Sequence, residues 1–244
     1  MRRHLPNAIT LSNLFFGVLA IIAVTQGNWQ WTLGLVGLAL MADFLDGLVA
    51  RVLGVASPMG KELDSLADVV SFGVVPALVM AQLAGLADWL RDVPQASFSY
   101  WIYFDLIAAL LIAPFSGLRL ARFNLDTRQS DQFIGLPTPA NAALVLSFWV
   151  ISFTQPGHWL SEIFMQPGVV GGISLLLCYL LNAELPLLAL KFKSLAWAPN
   201  RFRYLLIIGS VFCLVLFQAL GVPLVFAWYL GLSLWANWRS KATA

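Results

Sequence analysis

Apolar runs long enough to cross a lipid bilayer recur along almost the whole of this chain. A bilayer core about 30 Å thick needs about 20 helical residues, and backbone amides inside lipid must be hydrogen-bonded within the protein. The runs are apolar on every face instead of alternating with polar residues, so they predict helices and disfavour a β-barrel. We place eight spans, with boundaries soft by several residues, at 8–26, 30–51, 60–86, 100–121, 138–154, 167–190, 204–220 and 222–238.

The composition agrees with this class of protein. Of the 244 residues, 60% are hydrophobic and 11% are charged, whereas soluble domains carry about 25% charged residues. The predicted fold is all-α: a polytopic transmembrane helical bundle that forms a single domain over 1–244. The tripeptide Gly221-Val222-Pro223 predicts a tight turn, so that 204–238 forms a C-terminal helical hairpin. A net charge of +2 without a basic patch excludes nucleic acid as a partner.

The basic residues indicate how the bundle is oriented. If the N terminus is inside, only Arg91 falls in an outside loop, which is the positive-inside bias of membrane proteins. Both termini, and the junction between the second and third spans, are therefore expected on the cytoplasmic side of the inner (cytoplasmic) membrane. The other thirteen of the fourteen basic residues lie in inside segments: Arg2, Arg3, Arg51, Lys61, Arg119, Arg122, Arg128, Lys191, Lys193, Arg201, Arg203, Arg239 and Lys241.

Carboxylates interrupt the apolar pattern on both sides of that junction. Their spacings of three and four residues place each pair on one face of a helix. Gly54, Ser57 and Pro58 break the helix between the pairs, so the chain can reverse and bring the acids together. Clusters of carboxylate oxygens suit a hard divalent cation, Mg²⁺ or Mn²⁺. The four residues of this predicted metal site are Asp43, Asp46, Asp64 and Asp68.

Arg51 adds a group that a metal site alone does not need. A guanidinium beside metal-binding carboxylates can bind a phosphate through two hydrogen bonds, so the set favours displacement at phosphorus. A structural alternative is that Arg51 and the acids only pair with one another at the end of a span. Another alternative is a cation transporter, although that function predicts acids and broken helices near the membrane midplane.

The pattern D-x2-D-G-x2-A-R-x8-G-x3-D-x3-D, from Asp43 to Asp68, resembles the signature of the CDP-alcohol phosphotransferase family at every fixed position. Members of that family are integral membrane enzymes that transfer a phosphatidyl or similar group from a CDP-linked donor to an alcohol and release CMP. The resemblance implies that Asp43, Asp46 and Asp64 bind the metal ion. It implies that Asp68 shares the metal site and acts as the general base. The residues that it places at the CDP-linked donor are Asn7, Thr10, Gly47, Arg51, Ser57 and Gly60.

The donor contacts of the first helix come from the stretch PNAITLSNLFFG, which also contains Asn13. These polar side chains near the cytoplasmic face can hydrogen-bond a nucleotide or its phosphates. In the structural alternative, Asn7 caps the helix and Thr10 bonds its own backbone.

Neighbouring stretches narrow the resemblance to the branch of the family that uses serine. They are LDSLADVVSFGVVPA, GLRLARFN and FIGLPTPANA, and the resemblance spans residues 6 to about 190. The glycerophosphate-accepting branch usually has Pro after the third aspartate and Lys after the fourth, where this chain has Ser65 and Val69. The implied partners are CDP-diacylglycerol, L-serine and membrane lipid, with glycerol 3-phosphate or inositol phosphate as alternative acceptors. Related enzymes are often homodimers.

Arg119 and Arg122 lie three residues apart at the inner end of the fourth span. They predict an anion site for the carboxylate of an amino-acid acceptor or for donor phosphate. The structural alternative is a pair of positive-inside anchors. The following loop, with Gly135, Pro137 and Pro139, is expected to close over the acceptor.

Overall fold

The computed structural model describes residues 4–86, 100–126, 133–188 and 197–242, and nearly all of these residues are helical. A π-helical segment (Val69–Val74) joins α3 to α4, and two short strands, β1 (Phe133–Ile134) and β2 (Pro186–Leu187), pair antiparallel. The predicted all-α bundle is therefore confirmed. The helices are α1 (Leu5–Thr25), α2 (Trp29–Leu53), α3 (Pro58–Asp68), α4 (Val75–Leu83), α5 (Tyr100–Leu110), α6 (Ile112–Leu125), α7 (Thr138–Thr154), α8 (Trp159–Phe164), α9 (Val169–Asn182), α10 (Trp197–Phe217) and α11 (Gly221–Ala242).

Several helices have the length and apolar character of membrane spans, while α7 and α9 are shorter apolar helices. Each of the eight predicted spans overlaps helical residues, and the spans at 60–86 and 100–121 each cover two of the helices. The number that cross the membrane and the side on which the termini lie stay predictions. Within the described ranges, five helical stretches are long and apolar enough to cross a membrane: Leu5–Thr25, Trp29–Leu53, Pro58–Leu83, Tyr100–Leu125 and Asn200–Arg239.

Part of the basic set that predicts the orientation lies outside the described residues: Arg2, Arg3, Arg91, Arg128, Lys191 and Lys193.

Two predicted boundaries are wrong. The span at 167–190 is too long, because α9 ends at Asn182 and Pro186, which cannot continue a helix, begins β2. Residues 189–190 lie outside the described residues. The turn of the C-terminal hairpin is a 3-10 segment at Gln218–Leu220, where Gln218 has a φ of 50°. Pro223 instead lies in the first turn of α11, where a helix tolerates proline, and α10 packs against α11 as the hairpin predicts.

The continuous rod formed by α3, the π segment and α4 lies at the centre of the bundle. In the most apolar stretch of 18 residues in this rod, 61% of the residues are buried. The corresponding share is 33% or less in the other long helices. It packs against α1, α6 and α7, and its buried side chains include Phe72, Val75 and Met80. The rod therefore carries the polar residues of α3 from the end of the bundle into its interior.

Local signals in the sequence set the junction between α2 and α3. Gly54 ends α2 in the left-handed conformation, at a φ of 63°, which glycine adopts without steric cost. Ser57 caps α3 by accepting a hydrogen bond from the Gly60 N–H at 3.0 Å, and Pro58 occupies the first helical position. Because α1 packs along both helices, their aspartate-bearing turns meet beside α1.

Candidate active site

Three carboxylates meet between α2 and α3, within the helices that the junction connects. Asp43 from α2 and Asp64 and Asp68 from α3 each offer an oxygen within 4.8 Å of the other two. Asp43 and Asp64 are partly buried, and Asp68 is only 8% exposed. The helical spacing and the chain reversal predicted from the sequence therefore bring these acids together.

Asp46 lies next to this group but its carboxylate has a partner of its own. It is 6% exposed and lies within electrostatic range of Asp43 and Asp64. The hydroxyl of Thr10 donates a short hydrogen bond to Asp46 Oδ2 and also lies 3.1 Å from the carbonyl of Pro6. Thr10 thus bonds its own backbone, as the structural alternative expected, and contacts a predicted metal ligand as well.

Asn13 holds Asp68, a contact that the sequence reasoning missed. Its Nδ2 donates to Asp68 Oδ1 at 3.2 Å, and both side chains are buried. The Ser71 hydroxyl, in the π segment, donates to the backbone carbonyl of Asn13 at 3.1 Å. One oxygen of Asp68 is therefore fixed by an amide from α1. The available signal was the position of Asn13, one helical turn after Thr10.

The three converging carboxylates fit a divalent cation. Asp64 Oδ1 is buried and has no hydrogen-bond partner among the described residues, and a buried oxygen without a partner is costly. Three carboxylates this close also repel one another unless a positive charge lies between them. Asp43, Asp64 and Asp68 thus have the oxygen chemistry that Mg²⁺ and Mn²⁺ prefer.

A cavity of about 610 Å³ opens beside the acidic group and contains every residue that the family resemblance assigns to the donor. Asn7 lies in the first turn of α1 and faces this cavity. A Cβ atom on Gly60 would lie 3.3 Å from Asn7 Oδ1 and 3.2 Å from Ser57 Oγ, so glycine keeps this wall open. The lining includes Asn7, Thr10, Gly47, Arg51, Ser57 and Gly60, together with Asp46 and Asp64.

Arg51 is exposed at the mouth of this cavity. Its Nη2 atom lies 3.9 Å from the position of a Cβ atom on Gly47, so the side chain folds back over that glycine. The exposed guanidinium is accessible to a ligand in the cavity.

Arg119 and Arg122 line a second cavity of about 370 Å³ between the ends of α6 and α9. Arg119 is 7% exposed, its guanidinium lies 5.5 Å from the centre of the Phe123 ring, and it is within electrostatic range of Asp68. Arg119 Nε is buried and has no partner in the described part of the chain. Arg122 is exposed and lies 3.4 Å from the carbonyl of Asn182. The two arginines are thus unequal, and only Arg119 points inward.

The sequence reasoning also missed three buried polar side chains, one on α6 and two at the start of α7. Ser116 lies one turn before Arg119 on α6, and Thr138 and Asn141 lie in the first turn of α7; all three are fully buried. Asn141 has neither a donor nor an acceptor partner among the described residues, and the hydroxyls of Ser116 and Thr138 have none there either. Such groups are candidates for contact with a polar ligand. The sequence signal that could have identified them is the presence of polar residues within otherwise apolar helices.

Comparisons with known proteins found one matching family model and several similar enzymes. The family model described as CDP-alcohol phosphatidyltransferase matches residues 3–181. A CDP-diacylglycerol–serine O-phosphatidyltransferase of Helicobacter pylori strain J99 is 38% identical over 143 residues, which are 58% of this chain and 55% of the relative. The enzyme of the same name from Bacillus subtilis is 34% identical over 152 residues, 62% and 76% of the two chains.

An archaetidylserine synthase of Methanothermobacter thermautotrophicus is 34% identical over 151 residues, which cover 61% of this chain and 59% of the relative. This chain spans little more than half the length of the Helicobacter and archaeal relatives. The matched part nevertheless contains all four aspartates, Arg51, Arg119 and Arg122.

Proposed function

Because the chain belongs to the CDP-alcohol phosphatidyltransferase family, we propose that it transfers the phosphatidyl group of CDP-diacylglycerol to the hydroxyl of L-serine. The products are phosphatidylserine and CMP. The observation that carries this proposal is the meeting of Asp43, Asp64 and Asp68 beside the cavity that holds all the predicted donor residues. The names of the relatives support serine as the acceptor.

The cavity beside the acidic group is the donor site in this proposal. Its residues on α1 and α2, with Ser57 and Gly60 at the start of α3, surround the cytidine and diphosphate, and the acyl chains lie between helices in the inner leaflet. Arg51 binds the diphosphate through its planar pair of N–H donors. A divalent cation, Mg²⁺ or Mn²⁺, held by Asp43, Asp46, Asp64 and Asp68 would supply positive charge to the phosphate oxygens when bound.

Asp68 is the proposed general base. It accepts the proton of the serine hydroxyl, whose oxygen forms a bond to the phosphorus that carries the diacylglycerol. The bond from that phosphorus to the CMP oxygen breaks, and CMP leaves. The amide of Asn13 fixes one carboxylate oxygen of Asp68, which keeps the other directed at the acceptor. General-base assistance of this kind contributes about 10²–10⁴-fold.

The acceptor site lies on the opposite side of Asp68 from the donor cavity in this proposal. Arg119 is buried, is within electrostatic range of Asp68 and has an Nε donor without a partner among the described residues, so it suits the carboxylate of serine. We assign the buried amide of Asn141 to the same acceptor, because it can both donate and accept and has no partner among the described residues. Arg122 is exposed on the wall of the same cavity and offers a second positive charge to the carboxylate of serine.

The location that we propose is the inner membrane, with the site on the cytoplasmic side. The positive-inside bias supports this orientation, which gives the site access to serine and CDP-linked lipid.

An acceptor panel tests the choice of serine. Purified protein in detergent is supplied with CDP-diacylglycerol, a divalent cation and one alcohol at a time: L-serine, glycerol 3-phosphate or inositol phosphate. We expect CMP release with L-serine and none with either of the other two alcohols. Equal release with every alcohol overturns the serine assignment, and metal transport into liposomes without CMP release favours a cation transporter. Exchange of labelled CMP into the donor without serine would indicate a covalent intermediate in place of direct attack.

A further inference from the structure

The C-terminal helix α11 carries a stripe of polar side chains on one face. Tyr229, Ser233 and Asn237 are spaced by four residues, so they lie one above another on the helix. All three hydrogen-bond one short stretch of backbone. The Tyr229 hydroxyl donates to the Leu188 carbonyl at 3.2 Å, Ser233 Oγ accepts from the Leu188 N–H at 3.2 Å, and Asn237 Nδ2 donates to the Pro186 carbonyl.

That stretch of backbone is paired with part of the wall of the cavity that contains Arg119. Strand β2 pairs with β1, and the Gly135 N–H donates to the Leu185 carbonyl at 3.0 Å. Ile134 of β1 and the residues that end α9 line the cavity that contains Arg119. The stripe on α11 therefore holds in place both strands that border the proposed acceptor site.

Tyr229, the first residue of the stripe, is also near the arginine. It lies within electrostatic range of Arg119, which is in turn within range of Asp68. Ser233, one turn further along α11, is completely buried, whereas Tyr229 and Asn237 are partly buried. The helix lies beyond residues 3–181, which the family model matches.

We propose that α11 positions Arg119 and the β1–β2 pair for the acceptor, with Tyr229 as the positioning residue. This inference rests on the proposed function, because it assigns the acceptor to the Arg119 cavity. Hydrogen bonds that served only to dock the hairpin would support the fold but leave the kinetics of the two substrates unchanged. A positioning role instead affects serine and spares CDP-diacylglycerol, whose cavity lies on α1, α2 and α3.

The test is the kinetics of Tyr229→Phe, which removes one hydroxyl and keeps the ring. We expect the KM for serine to rise about three- to tenfold, the size of a typical coupling within one hydrogen-bond network. The KM for CDP-diacylglycerol and the unfolding temperature should stay at their original values. Tyr179→Phe on α9, whose side chain is 65% exposed, is the matched control and should match the unsubstituted protein.

The possible outcomes separate this inference from the proposed function. Unsubstituted protein that releases no CMP in response to serine overturns both. An active protein in which Tyr229→Phe leaves the KM for serine unchanged, or raises both KM values equally, overturns the positioning role alone. Combining Tyr229→Phe with Arg119→Lys gives a second measurement: non-additive effects on the KM for serine support the role, and additive effects contradict it.

Discussion

Asn13 and Asp68 form the contact on which the proposed base depends, since one amide hydrogen bond of 3.2 Å holds a buried carboxylate. Removing that amide with Asn13→Ala frees the carboxylate to rotate. We expect kcat to fall about 10–100-fold, as is common when a reacting group is misplaced, with little change in either KM. The measurement is CMP release at saturating substrates. Ser12→Ala, at the neighbouring exposed position of α1, is the control, and an equal loss in both variants would contradict this role of Asn13.

Asp64 is the residue at which metal binding is tested most directly, because its buried Oδ1 lacks a partner among the described residues. We expect Asp64→Asn to weaken the binding of Mn²⁺, measured by its electron paramagnetic resonance signal in the absence of substrate. Activity should fall about 10²–10³-fold, the usual effect of losing one electrostatic contact in an active site. Glu62→Gln, an exposed acid of the same helix, should bind Mn²⁺ normally. Normal binding by Asp64→Asn would remove this residue from the metal site.

For single residues, the sequence predicted which side chains come together, but it did not predict the hydrogen bonds that hold each of them. The spacing of Asp43, Asp64 and Asp68 follows from helical periodicity, so their meeting was predictable. The partners of Thr10 and Asn13 depend on how α1 packs, which a pattern of residue types does not contain. Likewise, Arg119 and Arg122 look equivalent in sequence, and only the packing of α9 and β1 buries one of them.

The π segment Val69–Val74 is the element that gives Asp68 its setting, because it begins at the next residue and carries Ser71 against α1. Close approach here requires Gly17, since a Cβ atom at that position would overlap the Ser71 hydroxyl. We expect Gly17→Ala to cost about 1–3 kcal/mol of unfolding free energy through overpacking.

Thermal unfolding in detergent measures this effect of Gly17→Ala. Gly37→Ala on α2 is the matched control, because a Cβ atom there meets no atom within 4 Å among the described residues. The control should unfold at or above the original temperature, since alanine favours a helix more than glycine does. Equal stability of the two variants would contradict the close contact between α1 and the π segment.

The helices were predictable from apolar runs, and their junctions from residues such as Gly54, Ser57 and Pro58. The π segment was not, because it is as apolar as the helices on either side and its hydrogen bonds differ only in register. The end of α9 and the β1–β2 pair were missed because the apolar residues around Pro186 look like a continuation of the span that α9 begins. They form a strand instead.

The orientation of the whole molecule remains a prediction from its basic residues. Reporter domains that are active only in the cytoplasm, fused at either terminus, should be active in cells, because positive-inside bias places both ends inside. Fusions after Asn28 and after Gly157, two turns on the predicted outer side, should be inactive. If the fusion after Asn28 were active and the fusions at the termini were inactive, the bundle would have the opposite orientation and the aspartates would lie outside.

The measurement that tests the function most directly follows labelled L-serine into lipid. Purified protein with CDP-diacylglycerol and Mg²⁺ or Mn²⁺ should convert the label into phosphatidylserine and release one CMP for each lipid formed. Asp68→Asn should abolish both products, while Glu62→Gln should retain them. CMP release that does not depend on serine, or label that never enters lipid, would contradict the proposed serine phosphatidyltransferase.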